Sequence, residues 1–140
     1  MAAKNFEDLD CWEMAADLDA QVYRLFKRPE LRTEFDLKDQ MLRSAGSVAD
    51  NIAEGFERGG NKEFLQFLHI SKGSCGELRS QFHRAKRREL IGDDVYVEYV
   101  GKCRKVSGKI GNFINYLRSS EYKGSKFTPP KPFETGSFEP

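Results

Sequence analysis

The amino-acid sequence predicts an all-α protein, an up-down-up-down antiparallel four-helix bundle. Apolar residues recur at alternating spacings of four and three, glycine and proline stops cut the chain into four such stretches, and no stretch keeps the two-residue period of a strand. A length of 140 residues suits a single core, and 39% apolar with 32% charged content is ordinary for a globular chain.

The first helix is expected over 10–28. Asp10 is placed to cap it, with Glu13 reaching back from three residues on. Cys11, Ala15, Leu18, Val22 and Leu25 form its stripe, and Trp12, Ala16, Tyr23 and Phe26 widen it toward the core. Pro29 disfavours helical geometry at Arg28 and ends it. The second helix, over 37–58, carries Met41, Ala45, Val48 and Ile52, flanked by Leu42, Ala49, Ala53 and Phe56; Gly59-Gly60 supplies its stop.

Asn61 is a good cap for the third helix, over 62–91, whose register runs Phe64, Leu68, Ser71, Cys75, Leu78, Phe82 and Ala85 before Gly92 terminates it. Asp93 then caps a fourth helix over 94–119, with Tyr99, Cys103, Val106, Ile110, Phe113 and Leu117 in strict alternation. Short second and third connections make sequential helices antiparallel neighbours. The bundle thus spans 10–119, after an N-terminal extension over 1–9. From 120 to 140 the pattern breaks into a tail holding four of the five prolines, expected to be disordered or to dock through Tyr122, Phe127, Phe133 and Phe138.

Several functions are excluded or disfavoured. The apolar runs are too short to span a bilayer, and the N-terminus lacks the apolar core of a secretory signal, so a cytoplasmic location without membrane association is expected. Cys11, Cys75 and Cys103 each fall on a core stripe without CxxC or Cys/His spacing, and read as reduced core residues. His69 and His83 lack the glutamate three residues earlier that di-iron bundles use. Arg79 and His83 are four apart rather than the five of a HEPN-type ribonuclease, and no phosphate-cradling P-loop occurs. No catalytic residue, metal site or cofactor is expected. Were the chain a ribonuclease, His83 with Arg79, Arg84 and Arg87 would be the cluster to examine, but His83 is expected on the exposed side of a basic helix end.

The net charge of +1 hides polarity along the chain. Glu7, Asp8, Asp10, Glu13, Asp17 and Asp19 crowd the start, whereas Arg79, Arg84, Lys86, Arg87 and Arg88 run without an acid between them. In an antiparallel bundle these last cations share an end with Arg24, Lys27 and Arg28, a candidate nucleic-acid-binding surface whose rival reading is plain solvation.

On the second helix Gln40, Ser44, Ser47, Asn51, Gly55 and Arg58 form one row beside the apolar stripe. Small and amide residues there point to a close helix–helix or subunit contact, or to a ligand, and Glu54 is placed to pair with Arg58 one turn on. Asn51 is expected to satisfy backbone groups at a helix crossing and Gly55 to admit another helix. On the third helix Phe67 and Ile70 lie to one side of the core line, which suggests a homo-oligomer.

These residues carry a family resemblance. Trp12-x-x-Ala15 with Leu18 and Tyr23, Gln40-x-x-Arg43, Ser47-Val48-x-x-Asn51-Ile52-Ala53-Glu54-Gly55-Phe56-x-Arg58 and Lys62-Glu63-Phe64-Leu65-x-Phe67-Leu68 resemble the bacterial four-helix-bundle proteins encoded by 23S rRNA intervening sequences, and Gly73-Ser74 and Glu77-Leu78 continue the match. It covers Leu9 to Leu117. The resemblance implies a homo-oligomer, a pentamer of antiparallel bundles, whose molecular role is poorly defined. The missing catalytic set and the basic bundle end add the expectation of a non-enzymatic interaction or RNA-associated scaffold. In that reading Gln40, Arg43, Ser47, Asn51, Glu54, Gly55, Arg58, Phe67 and Ile70 form a structural or interface motif. A related bundle, the accessory variability determinant of diversity-generating retroelements, implies the alternative partner, a reverse transcriptase and its RNA. The chain departs from that relative in its near-neutral charge and acidic first helix, and carries Ala45-Gly46 and Asp50 where intervening-sequence proteins usually differ.

Overall fold

The computed structural model describes residues 3–122, with side chains through Ser119, so the expected roles of Tyr122, Phe127, Phe133 and Phe138 lie outside the described side chains. Four helices follow one another: α1 (Asp10–Leu25), α2 (Phe35–Glu57), α3 (Asn61–Arg87) and α4 (Asp93–Tyr122). Each packs on the next, and α1 closes the ring against α4, leaving α1 and α3 at diagonal corners, as are α2 and α4. This is the antiparallel bundle that the four stripes predict. Their residues form one continuous core in which Val22, Val48, Ile52, Leu68, Leu78, Phe82, Ile110 and Leu117 are fully enclosed. Removing such a side chain from water contributes about 1.5–3 kcal/mol.

Two core residues lie off the stripes. Leu31, in the α1–α2 connection, is buried where the Leu31 and Arg32 N–H groups turn back to the Arg28 carbonyl. Leu9 is buried just before α1, after a single 3-10 turn at Phe6–Asp8 whose Asp8 carboxylate accepts the Asn5 N–H at 3.2 Å. Phe6 meets Trp12 edge-on with ring centroids 5.2 Å apart, so the described part of the N-terminal extension packs on the bundle.

The helix ends correct several expectations. Asp10 is the first helical residue of α1, and Leu9 occupies the cap position without a side-chain bond. That helix ends at Leu25, because the next residues tighten: the Lys27 N–H donates to Arg24 and the Arg28 N–H to Leu25, three residues back. Helix α2 begins at Phe35. Gly60 caps α3, and Asn61 is its first residue, with both amide atoms buried and unpartnered among the described residues.

Helix α3 stops at Arg87, earlier than the sequence predicts. Glu89 adopts a left-handed conformation at φ 62°, and the Leu90 N–H returns to the Ala85 carbonyl at 3.0 Å, which closes the helix before Gly92 is reached. Gly92 instead accepts the Tyr96 N–H at the start of α4, so Asp93 is helical and not a cap. Tyr23, assigned to the widened core stripe, is 52% exposed.

Gly59 does act as the expected stop, at φ 89° with open space around it, whereas Gly60 is extended at φ −109°. Gly59→Ala should therefore destabilise by about 1–2 kcal/mol through backbone strain alone. Gly60→Ser, which adds a capping hydroxyl, should stabilise by roughly a few tenths. Urea unfolding of the two variants checks the opposite signs.

Candidate nucleic-acid interface and the α2–α3 seam

The polar row of α2 faces α3 of the same chain. A Cβ built on Gly55 would lie 2.6 Å from the Phe67 Cβ and 3.0 Å from Phe64 Cδ1, so the helices touch at a point where no side chain fits. Beyond that point a polar ladder crosses the seam. The Ser47 and Ser74 hydroxyls are 2.9 Å apart, and Ser71 donates to the Val48 carbonyl at 2.6 Å. Arg84 donates to the Gln40 amide oxygen at 2.8 Å. Gln81, on the same flank of α3 between Ser74 and Arg84, is buried with Oε1 unpartnered.

Asn51 does not reach the neighbouring helix. Its amide donates to the Ser47 carbonyl and hydroxyl, both at 2.8 Å, and so holds Ser47 in position for Ser74. Arg58 lies over the Phe67 ring, 5.1 Å from its centroid, and donates to Glu54 at 3.0 Å as the spacing predicts. Phe67 is thus occupied within the chain, and of the two lateral apolar residues only Ile70, 51% exposed, remains open. Arg43 pairs with Asp39 at 2.7 Å on the exposed face and is no part of the seam.

The candidate cations gather at one end of the bundle, but in two groups. Arg24, Lys27 and Arg28 close α1; Arg84, Lys86, Arg87 and Arg88 close α3, at the diagonal corner rather than beside them. Arg79 sits about 13 Å further along the axis from Arg88, against the α3–α4 seam, and is outside the cluster. The corners between are helix starts bearing Asp36 on α2 and Asp93 and Asp94 on α4. Basic residues at helix C-termini and acidic ones at N-termini both oppose the backbone dipoles, which explains part of this pattern by stability alone. Lys86 pairs with Asp93 at 3.1 Å and Lys102 with Glu98 at 3.6 Å. Among the described residues, Arg24, Lys27, Arg28, Arg87 and Arg88 make no ion pair.

Sequence reasoning missed the aromatic component of this end. Large apolar side chains left open among the described residues are Tyr23, Phe35 at 69%, Ile70, and Val97 at 67%, and all but Ile70 are here. The signal was present for Phe35, which lies off the α2 stripe.

The arrangement offers little for acid–base chemistry. His83 is half-buried, not exposed as expected: its Nδ1 lies 3.2 Å from the Tyr96 hydroxyl, with the rings edge-on. His69 is held below its ordinary pKa by burial and by Arg118 and Lys72, and Arg118 lies 3.1 Å from its Nε2. Cys75 donates to the Cys103 carbonyl at 3.3 Å inside the core, and burial pushes the Cys11 thiol up to about 12. All three cysteines are free thiols. Among the described residues no group of three or more His, Cys, Asp or Glu is placed to hold a metal, and no helix is long and apolar enough to cross a membrane.

Residues 7–112 match the family model described as 23S rRNA-intervening sequence protein. The chain belongs to that family. The chain is also similar in fold to a crystal structure from Bacteroides thetaiotaomicron VPI-5482, a protein of unknown function from the S23 ribosomal protein family. The two are 19% identical, the match covers 75% of this chain and 95% of that one, and the TM-score is 0.70. No curated protein matches. At that identity the likeness speaks for the fold alone.

Gly55→Ala should lose about 1–3 kcal/mol by overpacking against Phe67. Asn51→Ala, which only loosens Ser47, should lose about 1 kcal/mol. Thermal unfolding ranks them, and equal melting temperatures to wild type would show that the seam is not tight.

Asp19 supplies a pH-dependent check. Burial first, and Asp50 second, raise its pKa above the ordinary 3.8. The folded state therefore binds this proton more tightly than the unfolded chain, and stability falls as pH rises from 3.8 through the raised folded value. Asp19→Asn should melt higher than wild type at pH 7, and the difference should vanish below pH 3.8.

Proposed function

We propose that this family member is a non-enzymatic scaffold that associates with RNA through the bundle end closed by α1 and α3, and that it works as a cytoplasmic homo-oligomeric ring. The observation that supports this reading is the concentration at one end of five cations without carboxylate partners together with open aromatic rings. Stability accounts for cations at helix C-termini, but it leaves the open rings beside them unexplained. Phosphate contacts by such cations are non-specific in sequence and release counterions, so a ring that repeats the surface in each subunit multiplies a modest affinity.

Self-association is supported separately by the outer face of α3. Ile70 is open there, and Gly73 and Gly76 have nothing within 4 Å of the place where a Cβ would stand, so a second backbone can approach closely. Pentamer formation comes from the family resemblance.

Two measurements test the reading. Light scattering should return a mass several times 16.1 kDa, and a monomer mass would remove the ring while leaving the bundle intact. Binding to a structured ribosomal RNA fragment should weaken steeply with salt and weaken further in an Arg87→Glu, Arg88→Glu variant. A salt-independent response, or no retention at low salt, would remove the RNA role.

A further inference from the structure

Tyr23 and Phe35 share one seam. Asp19 of α1 lies over Gly46 of α2, its Oδ1 4.0 Å from where a Cβ would stand. Tyr23 follows Asp19 by one turn on the same flank, and Phe35 shares the α2 row that runs through Leu42 to Gly46. The antiparallel register that sets Asp19 against Gly46 brings Tyr23 level with Leu42. Phe35 then stands about 10 Å nearer the bundle end along the same groove.

Cations border both rings. The Lys27 ammonium is 4.8 Å from the Tyr23 centroid, and Lys38 lies one turn beyond Phe35. Asp39, the acid beside Lys38, is already engaged by Arg43, whereas Glu34 and Asp36 flank Phe35 in sequence, so the cations of the strip are Lys27 and Lys38 on its α1–α2 side. A phenyl ring at the first position of a helix contributes nothing to capping, and burying it would be worth about 1.5–3 kcal/mol, yet it stays open.

We propose that this strip is a binding surface for single-stranded RNA, with bases stacked on Tyr23 and Phe35 and phosphates against Lys27 and Lys38. The inference rests on the RNA association proposed above and narrows it to unpaired strand. Cations alone accept duplex and single strand alike, because both present phosphates. Open aromatic rings discriminate, since only an unpaired strand can turn its base faces outward to stack. The pairing of each ring with a neighbouring cation supplies both parts of a nucleotide's recognition in one place.

Fluorescence anisotropy of the full chain with a labelled oligouridylate and with a labelled RNA duplex of equal length tests this. Wild type should bind the single strand more tightly. Tyr23→Ala and Phe35→Ala should each weaken that binding by about 5- to 150-fold, the equivalent of one lost base stack, while duplex binding and the melting temperature stay unchanged. Tyr23→Trp should retain the wild-type affinity, because the stacking face is kept. If both alanine variants bind the single strand as wild type does while Arg87→Glu, Arg88→Glu weakens both probes, the stacking surface is overturned and RNA association stands. If wild type binds neither probe, both fall.

Discussion

Where α2 and α3 meet, a side chain is missing, and the rest of the seam depends on that gap. With hydrogen alone at Gly55, the Phe67 ring lies against the α2 backbone, and Phe64 packs beside it. The approach sets the separation at which Ser47 reaches Ser74 and Ser71 reaches the Val48 carbonyl. A bulkier residue at 55 would push the helices apart and leave the buried Ser71 hydroxyl unpaired, at a cost of about 1–3 kcal/mol. Arg58 then covers Phe67 from outside and is held there by Glu54 and, at 3.6 Å, by Glu63. Packing and polar satisfaction are thus one constraint here, since neither is available at a wider spacing.

The four stripes were legible because helical periodicity sums over many residues, and a misassigned position does little to the sum. Tyr23 shows the cost of that robustness: it lies within the angular range of the α1 core face, but at the edge of the α1–α2 seam, where its ring stays half exposed beside Lys27. Boundaries were less legible because each depends on one local competition. Glu89 takes the left-handed position that a glycine was expected to fill at Gly92, since the Leu90 N–H finds the Ala85 carbonyl first. Asn61 fails as a cap because Gly60 is already extended before it.

The candidate site was legible in part. The α2 row and the Glu54–Arg58 pair follow from spacing along one helix, and the structure gives the row its partner in α3. The basic end was legible as an end, but not as two corners, since adjacency between α1 and α3 depends on how four helices are arranged around a ring. From sequence alone Phe67 reads as a sign of a neighbouring subunit, because the surface it packs on, the bare backbone at Gly55, presents no apolar side chain.

Trp12, the sole tryptophan, lies edge-on to Phe6 at the opposite end of α1 from Arg28, roughly 24 Å away along the axis. Its indole emission therefore reports the integrity of the bundle without direct interference from anything bound at the far end. Melting curves followed by this fluorophore can be compared across variants with ligand present or absent, and no extrinsic dye is needed. A spectral shift on ligand addition would carry separate information, that a change at one end of the bundle is transmitted along a packed helix to the other.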